Sequence, residues 1–433
     1  MSTTIDGPGQ ESLAAAQESL ATGENTAART LPPAPAYGLR ARVAKQVLAR
    51  ILRNVPVTAR LATGEVYGGG EVTLEVTDPT AFFARLGRSP MIGIGESYMA
   101  GEWRPSADTD LADALAPFAE RLNELIRPAF YRMRHVVLPR GLNPENSRHG
   151  ARRNIEAHYD LSNEMFAQFL DPTMSYSSAL FASLVPAPTQ DELEQAQLRK
   201  VDAILDAAGV TAGSRVLEIG TGWGTLAIRA AQRGARVTTI TISTEQAALA
   251  QQRVDAAGVS DRVEIALRDY RDQTGRFDAV VSVEMIEAVG EKYWPTYFRS
   301  IDGLLAPGGK VAIQAILLEH HRMVATRDTY TWIHKYIFPG GLLPSQTAIE
   351  QVLAEHTTLG VSDVAPLGQH YAHTLRLWRE RFLANWPTVR DLGFDGTFRR
   401  MWEFYLAYCE AGFRTGYLEV AQITMERPAP GAR

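Results

Sequence analysis

The residues with the clearest chemical potential are three glycines that follow a short apolar run. Val216–Ile219 carries one acid, Glu218, and Gly220, Gly222 and Gly224 follow at alternate positions. This order predicts a strand, a tight turn and the start of a helix. Glycine there lets the backbone pass close to a ligand, where a Cβ atom would collide with it. No Lys-Ser or Lys-Thr pair follows and the spacing is not G-x-G-x-x-G, which argues against a P-loop and a dinucleotide site.

The spacing G-x-G-x-G is typical of methyltransferases that use S-adenosylmethionine (SAM); a turn with only a structural role is the alternative. Polar side chains at neighbouring strand ends favour the first interpretation. Glu218, Thr241, Asp269 and Glu287 lie at or just past four predicted ends. Polar groups there suit the hydroxyls and amines of a nucleoside.

The elements that must position these residues alternate between strand and helix patterns after Arg215. That order predicts an α/β fold, in which a mostly parallel sheet is covered by helices on both faces. Ligands of such sheets bind at the carboxyl ends of the strands. The predicted strands are 215–219, 236–242, 263–267, 277–284 and 309–315, with helices at 226–232, 245–256 and 293–305.

Composition excludes several classes of protein. The 433 residues are 45% hydrophobic and 21% charged, as expected for a soluble protein with ample core. The net charge of −5 implies no general attraction to nucleic acid. Cys409 is the only cysteine, which excludes an internal disulfide and a cysteine metal cluster, and we predict no metal site. No signal peptide or membrane span is evident, which fits a cytoplasmic location.

Three regions are predicted along the chain. They are a disordered tail over 1–35, a small lipid-associated α/β domain with a basic connector over 36–145, and a methyltransferase domain over 146–428. Within the second region, 40–53 combines helical spacing of apolar residues with five basic residues and no acid. This pattern predicts a helix that touches phospholipid headgroups, and a solvated basic helix is the alternative.

The late segments 370–385 and 394–408 predict two long helices that are rich in aromatic residues. Most of these aromatics are expected to pack in the core, and a fraction of them to line a tunnel for an acyl chain, because both roles need apolar walls. A strand over 417–423 is predicted after them.

Five motifs resemble those of the cyclopropane-fatty-acid synthase family, which includes the mycolic-acid methyltransferases. All five occur in order, with the glycine turn between them, and the resemblance runs from about residue 85 to residue 425. It implies a class I SAM-dependent methyltransferase fold that acts on an olefin in a lipid acyl chain. The motifs are HYDLSN at 158–163, DPTMSYSS at 171–178, VEMIEAVG at 283–290, YIFPGG at 336–341 and HYAHTL at 370–375.

The resemblance also implies which residues hold SAM. Tyr159, Tyr176 and Ser177 are expected at its methionine end, and Gly220 and Gly222 at its close approach to the backbone. The remaining expected positions are Glu218 at the first strand end, Thr241 and Gln246 beside the ribose, and Asp269 and Tyr270 beside the adenine.

Methyl transfer to an alkene leaves a carbocation that must lose a proton without being quenched by water. The resemblance implies bicarbonate as the base. Its expected ligands are Ser178, Glu287, Gln314, the backbone of Ile316, and Tyr371. Ser178 stands where the family usually has cysteine, and Gln314 where some members have histidine; a serine hydroxyl still donates a hydrogen bond.

Three segments resemble most closely the actinobacterial unsaturated-fatty-acid methyltransferases, which make precursors of 10-methylstearate. They are 99–103, 282–290 and 332–344. This resemblance implies a methylene-branched product on an oleoyl-type phospholipid, peripheral contact with the membrane, and a separate reductase that acts afterwards; a homodimer is also expected. The alternatives are cyclopropane ring closure at the same bond, methylation of a small soluble acceptor, and a non-catalytic relative that binds SAM or lipid.

Overall fold

Two β-sheets organise the chain, and helices pack against both of them. The structure, a computed structural model, describes residues 31–122 and 162–428. The predicted tail over 1–35 therefore lies almost wholly outside the described residues, as does the connector that ends the predicted 36–145 region.

The smaller sheet belongs to the N-terminal region and has the strand order β2-β1-β3-β4. Strand β1 runs parallel to β3 and antiparallel to β2. Two of the helices begin at aspartates, Asp78 and Asp110, whose carboxylates accept backbone N–H groups of the first turn. The elements are α1 (Leu39–Ile51), β1 (Val57–Leu61), β2 (Val66–Gly68), β3 (Val72–Val76), α2 (Pro79–Arg88), α3 (Pro90–Met99), β4 (Trp103–Pro105) and α4 (Leu111–Glu120).

The larger sheet has seven strands in the order β10-β11-β9-β8-β5-β6-β7. Its strands are β5 (Arg215–Ile219), β6 (Arg236–Thr241), β7 (Val263–Leu267), β8 (Phe277–Val283), β9 (Leu305–Leu317), β10 (Gly360–Pro366) and β11 (Glu419–Glu426). The helices of this part are α5 (Asn163–Ala167), α6 (Leu193–Ala207), α7 (Thr225–Gln232), α8 (Thr244–Ala256), α9 (Trp294–Leu304), α10 (His320–Thr326), α11 (Trp332–Tyr336), α12 (Gln346–His356), α13 (Gly368–Ala384), α14 (Trp386–Asp391) and α15 (Gly396–Arg414).

Five strands of this sheet are parallel, from β9 to β7, and β11 and β10 add an antiparallel edge. The predicted α/β fold with a mostly parallel sheet is thus confirmed. Strand β10 was not predicted from the sequence. None of its residues is fully buried, so it lacks an apolar pattern, and its pairing with β11 defines it instead.

One hydrophobic core joins the N-terminal region to the part of the chain that contains the seven-stranded sheet. Trp103 and Phe83 of the first region pack in the same cluster as Trp378 and Trp402 of helices α13 and α15. The late aromatic residues are therefore mostly core, although Tyr408 remains 40% exposed. Across residues 31–122 and 162–428, no helix has both the length and the apolar character needed to cross a bilayer.

Candidate active site

A cavity opens at the carboxyl ends of the parallel strands β5, β6, β7 and β8, where ligands of such sheets bind. Every residue predicted to hold the cofactor lines it, with the exception of Tyr159, which lies outside the described residues. The lining residues that match the prediction are Tyr176, Ser177, Glu218, Gly220, Gly222, Thr241, Gln246, Asp269 and Tyr270.

The glycine turn forms one wall of this cavity. Gly220, Gly222 and Gly224 all have positive φ angles of 96°, 50° and 88°, which glycine adopts with little cost. A Cβ atom built at Gly222 would have no protein atom within 4 Å, so a side chain there has open space around it. A Cβ at Gly220 would instead lie 2.7 Å from Cγ of Met285. The turn therefore leaves the backbone of Gly222 accessible to a ligand.

An acidic and a basic side chain are buried at the cavity. The carboxyl group of Glu218 accepts a 2.6 Å hydrogen bond from the hydroxyl of Thr239, and burial raises its pKa to about 8. The ammonium of Lys200 donates to Oγ of Ser177 at 2.6 Å, and burial lowers its pKa to about 8. The charge of each group favours the ionised form of the other. Sequence reasoning missed Lys200, because nothing in helix α6 marks one lysine as buried.

The opposite wall carries the residues predicted beside the ribose and adenine. The Thr241 hydroxyl donates to the amide oxygen of Gln246 at 3.1 Å, which fixes that side chain at the cavity. Asp269 forms a two-pronged ion pair with Arg271, at 2.8 and 2.6 Å. The guanidinium of Arg271 also lies over the ring of Tyr270, with its central carbon 5.3 Å from the ring centroid. Arg271 was not predicted, and it holds Asp269 and Tyr270 in place.

A second polar cluster meets the cavity at Glu284. Its Oε1 atom accepts hydrogen bonds from the backbone N–H of Ser178 at 3.0 Å and from the side-chain amide of Gln314 at 2.8 Å. Its Oε2 atom accepts one from the hydroxyl of Tyr371 at 2.9 Å. Three residues predicted as bicarbonate ligands thus converge on the carboxylate of a fourth residue that was not predicted. The hydroxyl of Ser178 does not take part, since it donates to the carbonyl of Ala179.

The backbone of Glu284 is held in an uncommon conformation. Its φ angle is +51°, in the left-handed region that few residues other than glycine adopt. Its own N–H donates to the carbonyl of Gln314 at 2.8 Å, which ties the turn to strand β9. Such outliers cluster at functional sites, where the surrounding structure maintains them. One signal was available in the sequence, since Glu284 is the last residue of the strand predicted over 277–284 and so lies at a carboxyl end.

Electrostatics at Glu284 combine burial with strong hydrogen bonding. Burial raises the pKa of its carboxyl, while the bonds from Ser178 and Gln314 and the charge of Lys200 oppose that rise. Burial and the charge of Glu284 raise the pKa of Tyr371 well above its usual range, so Tyr371 remains a protonated donor.

The predicted pair Glu287 and Ile316 forms a separate contact. The backbone N–H of Ile316 donates to Oε1 of Glu287 at 2.5 Å. The other oxygen of Glu287 is buried without a hydrogen-bond partner among the described residues. Burial and the nearby charge of Glu284 raise the pKa of Glu287 to about 8, so it is mostly protonated at neutral pH. Ile316 therefore donates to Glu287, whereas Ser178, Gln314 and Tyr371 donate to the neighbouring Glu284.

Aromatic side chains pack around Tyr176, which lines the cavity, and around Tyr371. The hydroxyls of Tyr176 and Tyr405 lie 2.7 Å apart, and the ring of Tyr176 packs 5.4 Å from that of Trp378. The ring of Tyr371 lies 4.5 Å from that of Phe413. Faces of such rings stabilise a nearby cation and exclude water.

Comparisons with known proteins agree with this geometry. The model of the family described as mycolic acid cyclopropane synthetase matches residues 146–423. The chain is 51% identical to the tuberculostearic acid methyltransferase of Mycobacterium tuberculosis over 406 residues, which is 92% of this chain and 94% of that protein. It is 34% identical to the cyclopropane-fatty-acyl-phospholipid synthase of Escherichia coli, over 84% of this chain and 90% of the relative.

Solved structures extend the similarity to three dimensions. A cyclopropane synthase from Mycobacterium tuberculosis is 30% identical, with a TM-score of 0.58, and the match covers 63% of this chain and 97% of that one. A mycolic acid cyclopropane synthase in complex with S-adenosylhomocysteine (SAH) and CTAB gives the same identity and coverage, with a TM-score of 0.57.

Proposed function

Because the chain belongs to the mycolic acid cyclopropane synthetase family of SAM-dependent methyltransferases, we propose that it methylates the double bond of an unsaturated acyl chain in a phospholipid. The acceptor is a chain of the oleoyl type. The product is a methylene-branched chain, which is the precursor of a 10-methyl fatty acid. The relative that is 51% identical over nearly the whole chain, the tuberculostearic acid methyltransferase, supports this product over a cyclopropane ring.

The residues of the cavity suit SAM. Gly222 offers a backbone that a ligand can approach, Glu218 offers a polar group at the end of β5, and Gln246 offers one in the first turn of α8. Bound SAM supplies an electrophilic methyl group on a sulfonium. We assign the methionine end to Tyr176 and Ser177, the ribose to Thr241 and Gln246, and the adenine to Asp269 and Tyr270; Tyr159 stays a prediction.

The observation that carries the proposal is the position of the Glu284 cluster beside the cofactor cavity, among aromatic walls. An alkene is a weak nucleophile, so the protein must align it with the methyl group and exclude water. Apolar walls formed by Tyr176 and its neighbours suit an acyl chain. The faces of Tyr176 and Tyr371 suit the cation that forms on the chain.

Bicarbonate does not fit the site as the resemblance implies. The side chains of Gln314 and Tyr371, which were expected to bind it, already donate to the carboxylate of Glu284, as does the backbone N–H of Ser178, and the hydroxyl of Ser178 donates to Ala179. A second anion at these donors would lie against that carboxylate, and like charges repel strongly in a buried site. No step of the proposed reaction therefore depends on bicarbonate.

We further propose that helix α1 touches the membrane surface. Leu39, Val43 and Val47 recur every four residues and are 75%, 50% and 51% exposed, so they form an apolar stripe on one face. Exposed basic residues of the same helix, Arg40, Arg42 and Arg50, suit anionic headgroups.

A separate reductase completes the proposed pathway. Loss of a proton after methyl transfer leaves a carbon–carbon double bond, and saturating it requires two electrons and two protons. The glycine turn lacks the spacing of a dinucleotide site, so we assign that step to another protein. The homodimer stays a prediction.

The test is mass spectrometry of lipids after incubation of the purified chain with methyl-labelled SAM and dioleoyl-phospholipid vesicles. We expect a gain of one labelled methylene unit per modified chain, and fragmentation after derivatisation distinguishes the exocyclic methylene from a ring. Saturated distearoyl vesicles are the control and should gain nothing. No gain on oleoyl chains, with SAM binding demonstrated, would point to another acceptor or a non-catalytic protein.

A further inference from the structure

We propose that the carboxylate of Glu284 is the built-in base of this enzyme and takes the place of an external anion. The inference rests on the proposed function, since it concerns the proton that the methylated acyl chain must lose. It assigns a catalytic role to a residue that neither the resemblance nor the sequence patterns singled out.

Three hydrogen-bond donors converge on the carboxylate of Glu284. A backbone N–H, a side-chain amide and a tyrosine hydroxyl come from three distant segments and donate to one carboxylate, at 3.0, 2.8 and 2.9 Å. Three donors of this kind form a site for a small carboxyl-shaped anion. Here the chain itself supplies that anion, so Ser178, Gln314 and Tyr371 act as positioning residues for Glu284.

The backbone of Glu284 has an unfavourable conformation. The φ angle of +51° at Glu284 costs on the order of 1 kcal/mol for a residue with a side chain. Glycine would adopt the same conformation without that cost. Residues other than glycine that are held in this region cluster at functional sites, and Glu284 lines the cavity.

The surroundings of the Glu284 carboxylate suit a base. Glu284 lines the cavity, and Lys200, buried nearby, supplies a positive charge that helps to keep it ionised. Aromatic rings on the same side limit access of water. Burial also raises the pKa of Glu284, which makes it a stronger base than an exposed carboxylate.

The reaction balances with these groups alone. The π electrons of the alkene bond to the methyl carbon while the sulfur–methyl bond breaks, and its electron pair stays on sulfur. A hydride shift then moves the cation to the carbon that carries the new methyl group. Glu284 takes a proton from that methyl group, and the C–H electron pair forms the exocyclic double bond. The resulting acid returns its proton to water when the product leaves.

The experiment compares wild type with Glu284→Gln and Glu284→Gly in buffer freed of CO2, using oleoyl vesicles and labelled SAM. Wild type should turn over at the same rate with and without added bicarbonate. Both variants should lose about 100-fold in turnover while their affinity for SAM, measured by calorimetry, is unchanged. Glu194→Gln, on the exposed face of helix α6, is the matched control and should behave as wild type.

Chemical rescue provides the sharper readout. Glu284→Gly removes the carboxylate but keeps the three donors, so added bicarbonate or formate should restore turnover and 13C-bicarbonate should bind to it by NMR. Glu284→Gln fills the same space and should not be rescued. The inference is overturned if wild type needs bicarbonate, or if Glu284→Gln is as active as wild type. Absence of product from wild type under every condition would instead contradict the proposed function.

Discussion

The hydroxyl of Tyr371 donates to the carboxylate of Glu284 at 2.9 Å, and this bond joins helix α13 to the end of strand β8. Tyr371→Phe removes the donor but keeps the ring, which packs against Phe413. A hydrogen bond to a charged group contributes roughly 1.5–3 kcal/mol, so we expect turnover to fall by about 10- to 100-fold. SAM affinity should not change. Tyr67→Phe, in the small sheet, is the control; equal turnover of the two variants would remove Tyr371 from the site.

Gly222 has open space where a side chain would project. Gly222→Val should abolish SAM binding, because the added side chain takes up space that we assign to the cofactor. The φ angle of +50° also makes valine costly there, so the control must have the same cost. Gly258→Val is suited, since Gly258 is exposed, has a φ of +68° and has no atom within 4 Å of a built Cβ. Calorimetry should show binding lost only at position 222; retained affinity there would contradict the cofactor assignment.

Glu287 should make the folded protein less stable as the pH rises. Its pKa is about 8 in the folded chain and about 4.5 in the unfolded chain, so between these values the folded state binds more protons. Stability contributed by the protonated form is complete below about pH 4.5 and is lost as the pH approaches 8. Glu287→Gln cannot ionise, so its melting temperature should fall less than that of wild type between pH 6 and pH 8. Parallel melting curves would show that Glu287 is not protonated in the fold.

Val43 and Val47 on helix α1 test the proposed membrane contact. Aspartate at both positions should weaken binding to vesicles that contain anionic phospholipid by about 10-fold or more, since burial of each valine contributes on the order of 1 kcal/mol. Val185→Asp changes a valine that is 85% exposed and serves as the control. Cosedimentation measures binding, and calorimetry with SAM checks the fold. Unchanged cosedimentation of the double variant would exclude α1 from the contact.

Arg379 links the N-terminal region to the late helices. Its guanidinium pairs with Asp110 before helix α4 and with Glu410 in α15, at 2.8 and 2.9 Å. Arg379→Met leaves the buried Glu410 with only the longer contact to Arg414, at 3.8 Å, so the unfolding free energy should fall by up to about 3 kcal/mol. Adding Glu410→Met should recover much of that loss. Urea denaturation measures both variants, and a single variant as stable as wild type would show that the pair contributes little.

The sequence alone predicted the parallel part of the large sheet and the residues that line the cavity at its strand ends. Alternating strand and helix patterns after Arg215 predicted a mostly parallel sheet, because parallel strands need helical crossovers. The carboxyl ends of such strands meet at one edge, so Glu218, Thr241 and Asp269 could be grouped before any contact was known. The glycine turn could also be predicted from the sequence, because the backbone conformation of a tight turn depends on local residues.

Only the tertiary structure decided which acid occupies the second cluster. Glu284 and Glu287 lie three residues apart in one motif, and no local pattern distinguishes them. The left-handed backbone at Glu284 aims its carboxylate at donors that are 30, 87 and 106 residues away in the chain. Donors so distant meet only when the segment that carries Ser178 packs with β8, β9 and α13, and Lys200 of helix α6 reaches the cavity in the same way. The convergence of Ser178, Gln314 and Tyr371 on Glu284 is therefore a property of the folded chain.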